Sequence, residues 1–345
     1  MHKIVVASMH KNAGKTSVII GLSKALEQSC AYLKPLGDRL LYRKKRLWDY
    51  DSELLTQLLF IDERPEEISL GFEHAKLRYM YDEAAIQAKL REKAAATGAD
   101  KSVLFVEAGN SMHYGASVHL DAISLARTLQ AKLILVAGGN EDEVLDDIVF
   151  VKEYFGSGDV DFAGVIINKV QDLDDFRRSA RKDIEKSGTK VLGMIPFAEE
   201  LTGMTVRFLV DRLFAKVIAG ENGLDQIVRH VLIGAMSVTA VMQHPTFNKP
   251  ERLIITSGDR SDMILAGLDS GASCLVLTNN ILPPANIIAR AEAANVPLLL
   301  VSWDTFRTAQ EVDLVEPLMT KTDAAKVELL ARLVKEHVDL KGVVA

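Results

Sequence analysis

With 345 residues, nearly half of them apolar, the chain is long enough for two cores, and its composition is that of an ordinary soluble globular protein. A formal charge of -6 speaks against a nucleic-acid binder while leaving room for a local basic patch. Its two cysteines, Cys30 and Cys274, make no secreted disulfide framework, no apolar run reaches membrane-spanning length, and a core strand beginning at residue 3 leaves no space for a signal peptide, so a cytoplasmic protein is expected.

The chain opens on an apolar strand, Lys3–Ala7, and a helical pattern follows over Ser17–Leu26. The turn between them, Ser8-Met9-His10-Lys11-Asn12-Ala13-Gly14-Lys15-Thr16, closes on Gly-Lys-Thr. Strand, tight turn and helix in that order make a phosphate-binding loop. Gly14 lets the backbone approach a phosphate, and the residues from Asn12 and Ala13 through Ser17 line it with N–H groups at the helix start. Lys15 is expected on the β- and γ-phosphate oxygens and the Thr16 hydroxyl on Mg²⁺. Met9 stands where the usual pattern has its first glycine.

A second strand, Cys30–Leu33, runs into Lys34-Pro35-Leu36-Gly37, where proline and glycine open a loop. The basic run Arg43-Lys44-Lys45-Arg46 reads as a solvated loop. The acidic stretch Asp49–Glu53 starts a helix that continues to Leu59, and Asp82–Thr97 is a polar helix. Strand three, Ser102–Glu107, ends in an acid, where a magnesium-side carboxylate belongs in such folds. A helix over Leu120–Leu129 leads to strand four, Lys132–Ala137. After it, Asn140 and Glu143 read as a capping box rather than a second metal site. Strand five is Asp161–Asn168, a helix covers Asp174–Lys186, and strand six is Lys190–Ile195. This alternation predicts an α/β fold with a parallel, doubly wound sheet and a ligand at the carboxyl ends of its strands. Gly14, Lys34, Glu107, Gly138 and Asn168 all fall at those ends.

The chain changes character over residues 197–225. The domain boundary is placed there, with residues 1–215 as the P-loop domain and 216–345 as a smaller α/β domain carrying a C-terminal helix. In the second domain a helix-like stretch, Leu232–Met242, precedes strands Glu251–Thr256, Cys274–Thr278 and Val296–Ser302, with helices Met263–Leu268 and Ala285–Ala294 between them. Asp323–His337 is an amphipathic helix, expected against its own domain or a partner subunit.

Residues 1 to about 210 resemble the dethiobiotin synthetase-like branch of P-loop ATPases. The matching residues are Asn12-Ala13-Gly14-Lys15-Thr16, Tyr32-Leu33-Lys34-Pro35, Asp51, Val106-Glu107-Ala108-Gly109, Val165-Ile166-Ile167-Asn168-Lys169 and Leu192-Gly193-Met194-Ile195-Pro196. Residues 225–325 resemble the DRTGG domain through Gly258-Asp259-Arg260-Ser261-Asp262, Leu277-Thr278-Asn279 and Val296-Pro297-Leu298. In this order the pair resembles the N-terminal part of long bacterial phosphotransacetylases. The acetyltransferase domain of those enzymes would follow where this chain ends, so a phosphotransacetylase acting on its own is not expected.

The resemblance implies ATP and Mg²⁺ as ligands. Lys15 and Thr16 would hold phosphate and metal, Asp51 and Glu107 would be the metal-side carboxylates, Lys34 would reach the reacting or terminal phosphate, and Asn168 would read the edge of the base, which suits adenine. By position alone, Asp51 also reads as a helix-start acid, Lys34 as an ordinary strand-end residue and Asn168 as a turn former. Asp259 and Arg260 read as a structural ion pair or a ligand site. The departures fall in the substrate half. Leu36-Gly37-Asp38-Arg39 stand where dethiobiotin synthetases carry small hydroxylic residues for their diamine, and Asn110-Ser111-Met112-His113 replace their Gly-rich segment. The expected function is an ATP- and Mg²⁺-binding protein of regulatory or accessory role, its second domain dimerising or sensing a ligand in a homo-oligomer. The alternative is an ATP-dependent ligase that phosphorylates a carboxylate or carbamate and closes it on an amine. Neither a nucleic-acid nor a membrane partner is expected.

Overall fold

The computed structural model describes residues 1–43, 46–61, 63–155, 160–315, 318–320 and 323–345. They form two compact units, Met1–Ala198 with Thr320–Ala345, and Glu199–Met319.

The first unit begins with β1 (His2–Ala7), α1 (Lys15–Ala25), β2 (Cys30–Leu33) and an antiparallel hairpin of β3 (Leu40–Arg43) and β4 (Arg46–Asp49). It continues through α2 (Tyr50–Leu58), α3 (His74–Met80), α4 (Glu83–Thr97), β5 (Val103–Glu107), α5 (Ala122–Leu129), β6 (Lys132–Ala137), α6 (Glu141–Phe155), β7 (Phe162–Val170), α7 (Leu173–Lys186) and β8 (Val191–Pro196). Six strands pair in parallel in the order β2-β5-β1-β6-β7-β8, the doubly wound sheet expected. Ile4 to Val6 and Val103 to Val106 are buried without a break. Helices covering both faces of a parallel sheet produce such continuous apolar runs in place of alternation. From β1 the chain crosses to the edge strand β2, returns to fill β5 between them, then passes to the other side of β1 and builds outward through β6, β7 and β8. The crevice for a ligand therefore opens at the carboxyl end of β1, where the Gly-Lys-Thr turn lies.

The second unit contains β9 (Met204–Thr205), α8 (Val206–Leu213), β10 (Lys216–Ala219), β11 (Ile227–Val228), β12 (His230–Ile233) and α9 (Val238–Met242). After them come β13 (Arg252–Ser257), α10 (Ser261–Asp269), β14 (Cys274–Thr278), α11 (Ala285–Ala293), β15 (Leu298–Leu300) and α12 (Thr305–Asp313). A five-stranded sheet runs β10-β15-β14-β13-β12, parallel from β12 to β15 and antiparallel at β10. Ile254, Leu275 and Leu298 pack into one buried cluster, and Leu253, Ile255, Val276 and Leu299 into another.

The structure corrects several expectations. The helix-like stretch Leu232–Met242 is the end of β12, a turn, and then α9. A short apolar run does not choose between strand and helix, and here parallel pairing with β13 decides. The hairpin β3–β4, α3 and α12 are elements that the sequence reading leaves as loop. In the basic run Arg43-Lys44-Lys45-Arg46, Lys44 and Lys45 lie outside the described residues.

The units also divide between Ala198 and Glu199 rather than at 215/216, and the C-terminal segment belongs to the first unit. There α13 (Ala324–His337) and α14 (Leu340–Val344) close the chain. Apolar faces explain both shifts. Val206, Leu209 and Leu213 of α8 join the cluster of Leu253 and Ile255. On α13, Val327, Leu330, Leu333 and Val334 are buried, and Gly21 of α1 admits Val334, whose Cγ2 would lie 2.5 Å from a Cβ added there. Cys30 and Cys274 are both free and buried. Among the described residues no helix is long and apolar enough to cross a membrane.

Candidate functional site

Gly14 takes φ 96° immediately before α1, a conformation that glycine reaches without strain. The turn it makes is braced from the end of β7. Asn168 Nδ2 donates to the Ala13 carbonyl at 2.9 Å, and Lys169 Nζ to the Asn12 carbonyl at 2.6 Å. A Cβ on Gly14 would lie 2.2 Å from Asn168 Nδ2, so that brace requires glycine. Lys15, the first residue of α1, folds back over the turn and donates to Ser8 Oγ at 2.8 Å. Burial lowers its pKa, with Glu107 opposing the shift.

Glu107, at the end of β5, receives two hydroxyls. Thr16 Oγ1 donates to its Oε1 and Tyr32 OH to its Oε2, each at 2.9 Å. Burial pushes the Glu107 carboxyl up to about 7, opposed by Lys34 and reinforced by Asp51. Beside it lies Lys34, 1% exposed at the end of β2. Its ammonium is 2.6 Å from Asp38 Oδ1 and from Asp51 Oδ2, 3.3 Å from Asp49 Oδ2 and 3.9 Å from Glu107 Oε1. Burial pulls the ammonium down, but the four carboxylates outweigh it and hold Lys34 well above its ordinary range.

Asp49 organises the acidic side. Its Oδ1 caps α2 by accepting from Ser52 N at 3.0 Å, while its Oδ2 accepts from the N–H groups of Asp38 at 3.1 Å and Arg39 at 3.0 Å. Arg39 then bridges the two sides, with Nη1 3.3 Å from Asp51 Oδ1 and Nη2 2.8 Å from Asn12 Oδ1. Burial raises the Asp51 carboxyl, but Lys34 and Arg39 outweigh it and leave that group below its ordinary range.

The structure thus gathers Asn12, Ala13, Gly14, Lys15, Thr16, Lys34, Asp51, Glu107 and Asn168 around the end of β1, with Ser17 following in α1. Asp51 also stands in the first turn of α2, the helix-start position read for it, while the N-cap is Asp49. Asn168 gives one amide proton to the loop, and an amide NH₂ has two. Ser8 and Tyr32 stand in the turn and among the matching residues but join the cluster in roles that the sequence reading does not assign, and Asp38, Arg39 and Asp49 join it without a motif to announce them. Only Asp49 carries a local signal, as an acid just before a helix. The capping box is present, with Glu143 N donating to Asn140 Oδ1 and Asn140 N to Glu143 Oε2, each at 3.0 Å.

Hard oxygens suit Mg²⁺, and neighbouring ligands on an octahedron with bonds near 2.1 Å sit about 3 Å apart. Thr16 Oγ1 and Glu107 Oε1, 2.9 Å apart, fit that spacing. Asp38, Asp49 and Asp51 also converge, but there the Lys34 ammonium already supplies the cation. In the second unit, Arg260 pairs with Asp262 at 3.2 Å rather than with Asp259. It also donates to the carbonyls of Gly234 and Met236, each at 3.1 Å. The expected Asp259–Arg260 pair is corrected accordingly: Asp262 lies in the first turn of α10, two residues on, within reach of the fork.

A family model described as an AAA domain matches residues 2–205, and one described as a DRTGG domain matches residues 208–315. The chain belongs to this dethiobiotin synthetase-like AAA family. Behind its P-loop domain it carries a DRTGG domain. Phosphate acetyltransferase of Pseudomonas aeruginosa is 25% identical over 371 residues, covering 99% of this chain and 51% of that protein. The Nitrosomonas europaea enzyme of the same name is 24% identical over 360 residues, covering 98% of this chain and 50% of its own length. The AAA–DRTGG chain thus spans about half the length of these curated relatives. Among solved structures, a ParA family ATPase from Chlorobium tepidum is 14% identical with a TM-score of 0.38, covering 58% of this chain and 86% of that one.

Proposed function

We propose that this AAA–DRTGG protein binds ATP and Mg²⁺ in a regulatory or accessory role, related to the N-terminal region of phosphate acetyltransferases. The DRTGG domain would dimerise or sense a ligand, giving a homo-oligomer. A contrast within one site carries the reading. On the phosphate side a glycine turn, Lys15, Thr16 and Glu107 are in place. On the side where a ligase holds its acceptor, Asp38 and Arg39 close on Lys34 and Asp51 instead.

Mg²⁺, when bound, would neutralise charge on the β- and γ-phosphates. Thr16 and Glu107 would hold it, with Asp51 as a third oxygen. Lys15 would meet the phosphates from the loop. Asn168 would offer its second amide proton and its carbonyl oxygen to the edge of adenine. Tyr32 would orient Glu107 through its hydroxyl. The ligase alternative keeps one supporting observation, the Lys34 ammonium 3.9 Å from Glu107, where it would reach the transferring phosphate.

The deciding experiment incubates the protein with ATP, Mg²⁺, bicarbonate and candidate diamines and follows ADP release. The regulatory reading expects tight nucleotide binding and slow hydrolysis indifferent to the diamine. Turnover that depends on an added acceptor would replace it with the ligase.

A further inference from the structure

We propose that Arg39 is the residue by which this site tells a nucleoside triphosphate from a diphosphate. The proposal rests on the phosphate-loop reading above and assigns a role to a residue outside the family motifs.

Among the described residues four cations stand around the end of β1, and their surroundings differ. Lys169 rests on the Asn12 carbonyl at 2.6 Å. Lys15 and Lys34 are buried, and Lys34 is enclosed by four carboxylates. The Arg39 side chain is 31% exposed and lies across the opening between the loop and the acidic side. Its two nitrogens sit on Asn12 Oδ1 of the loop and on Asp51 Oδ1. Asp51 is also held by Lys34 at 2.6 Å, so it keeps a cation partner when Arg39 turns away. A phosphate oxygen arriving beside Asn12 therefore meets a guanidinium that can exchange partners without stranding a buried carboxylate.

The backbone behind the side chain is fixed. Asp49 accepts the N–H groups of both Asp38 and Arg39, and Gly37 N donates to the Gly71 carbonyl at 3.1 Å. Only the side chain has to move. A planar fork suits two oxygens of a terminal phosphate, and a terminal γ-phosphate is the group that a diphosphate lacks. A diphosphate seated on the turn and Lys15 would leave Arg39 on Asp51.

The test is isothermal titration of the full chain with Mg²⁺ and either the β,γ-imido analogue of ATP or ADP. Arg39→Ala should weaken the triphosphate analogue by about 10- to 100-fold, the range of a charge-assisted hydrogen-bonded contact, and ADP by less than about threefold. Arg39→Lys should recover part of the triphosphate affinity, since it keeps the charge and loses the fork. It also carries the test if the alanine variant does not fold, through the same selective loss at smaller size. Equal losses for both nucleotides, or none for either, overturn the proposal. Wild-type protein that binds neither nucleotide overturns the phosphate-loop reading itself and the proposal with it. Lys15→Ala, which should lose both nucleotides together, distinguishes that failure from one confined to Arg39.

Discussion

At Ala7 and again at Ser257 a strand of a parallel sheet breaks into a turn and then a helix. In the first turn Gly14 faces a side-chain amide, and Lys15, Lys34 and Arg39 rest on hydroxyl, amide and carboxylate oxygens, with Lys169 alone on a main-chain carbonyl among these cations. In the second, a Cβ on Gly258 would lie 1.7 Å from the Ile281 carbonyl oxygen, so backbone already fills the space. Arg260 there is tied to two main-chain carbonyls and Asp262. The same strand–turn–helix topology thus yields one corner with exchangeable contacts and one that closes on itself. Placement at strand ends marks where a ligand can sit, and side-chain chemistry decides whether one does.

The sharpest way to break this comparison is Lys34→Ala. It leaves buried carboxylates without their cation, and losing one partner of a buried ion cluster costs about 3–5 kcal/mol. Thermal denaturation should show a large drop in stability of the first unit, and a near-neutral result would mean that the cluster relaxes without its centre. Next comes Lys15→Ala, expected to weaken nucleotide binding by roughly 100-fold, the size of a lost charge-assisted contact to phosphate. Retained affinity would show the turn to be misassigned.

The third test is pH. Glu107 titrates near 7 in the folded chain because it is buried. An unfolded glutamate titrates at about 4.3. Between those values the folded state holds more protons, so this group's contribution to stability falls as pH rises through that window. A bound cation needs the carboxylate. Mg²⁺ affinity in the presence of nucleotide should therefore rise by about tenfold per pH unit below 7 and level off above it. Glu107→Gln should flatten that part of the profile, and an unchanged slope would remove Glu107 from the cation site. The smallest effect is expected at the closed corner. Arg260→Ala should cost about 1–2 kcal/mol in the second unit, because of the two carbonyls it releases that of Met236 is exposed and only that of Gly234 is buried. A loss as large as that of Lys34→Ala would mean that the second corner carries a role of its own.

Much of the first unit is legible in the residues because local and global preferences agree there. Apolar runs mark β1, β5 and β6, Asp82 and Asn140 announce helix starts, and Gly-Lys-Thr places the turn. The hairpin β3–β4 is not legible, since Leu40–Asp49 mixes basic and apolar residues in no period. Neither is the docking of α13, because an amphipathic stripe states that a face is buried and not what covers it. In the site, single-residue expectations at Lys15, Thr16, Lys34 and Glu107 converge in space. What the sequence hides is how they are wired. Asp38, Arg39 and Asp49 reach Lys34 and Asp51 only because the loop folds back on the N-terminus of α2, a contact without a sequence period.

The most direct measurement is a crystal structure of the protein with Mg²⁺ and a non-hydrolysable ATP analogue. The β- and γ-phosphates are expected on the turn from Asn12 to Thr16, with Lys15 on their oxygens and the metal between Thr16 and Glu107. A nucleotide bound elsewhere, with Lys15 still on Ser8 and no phosphate in the turn at millimolar analogue, would contradict the triphosphate cradle.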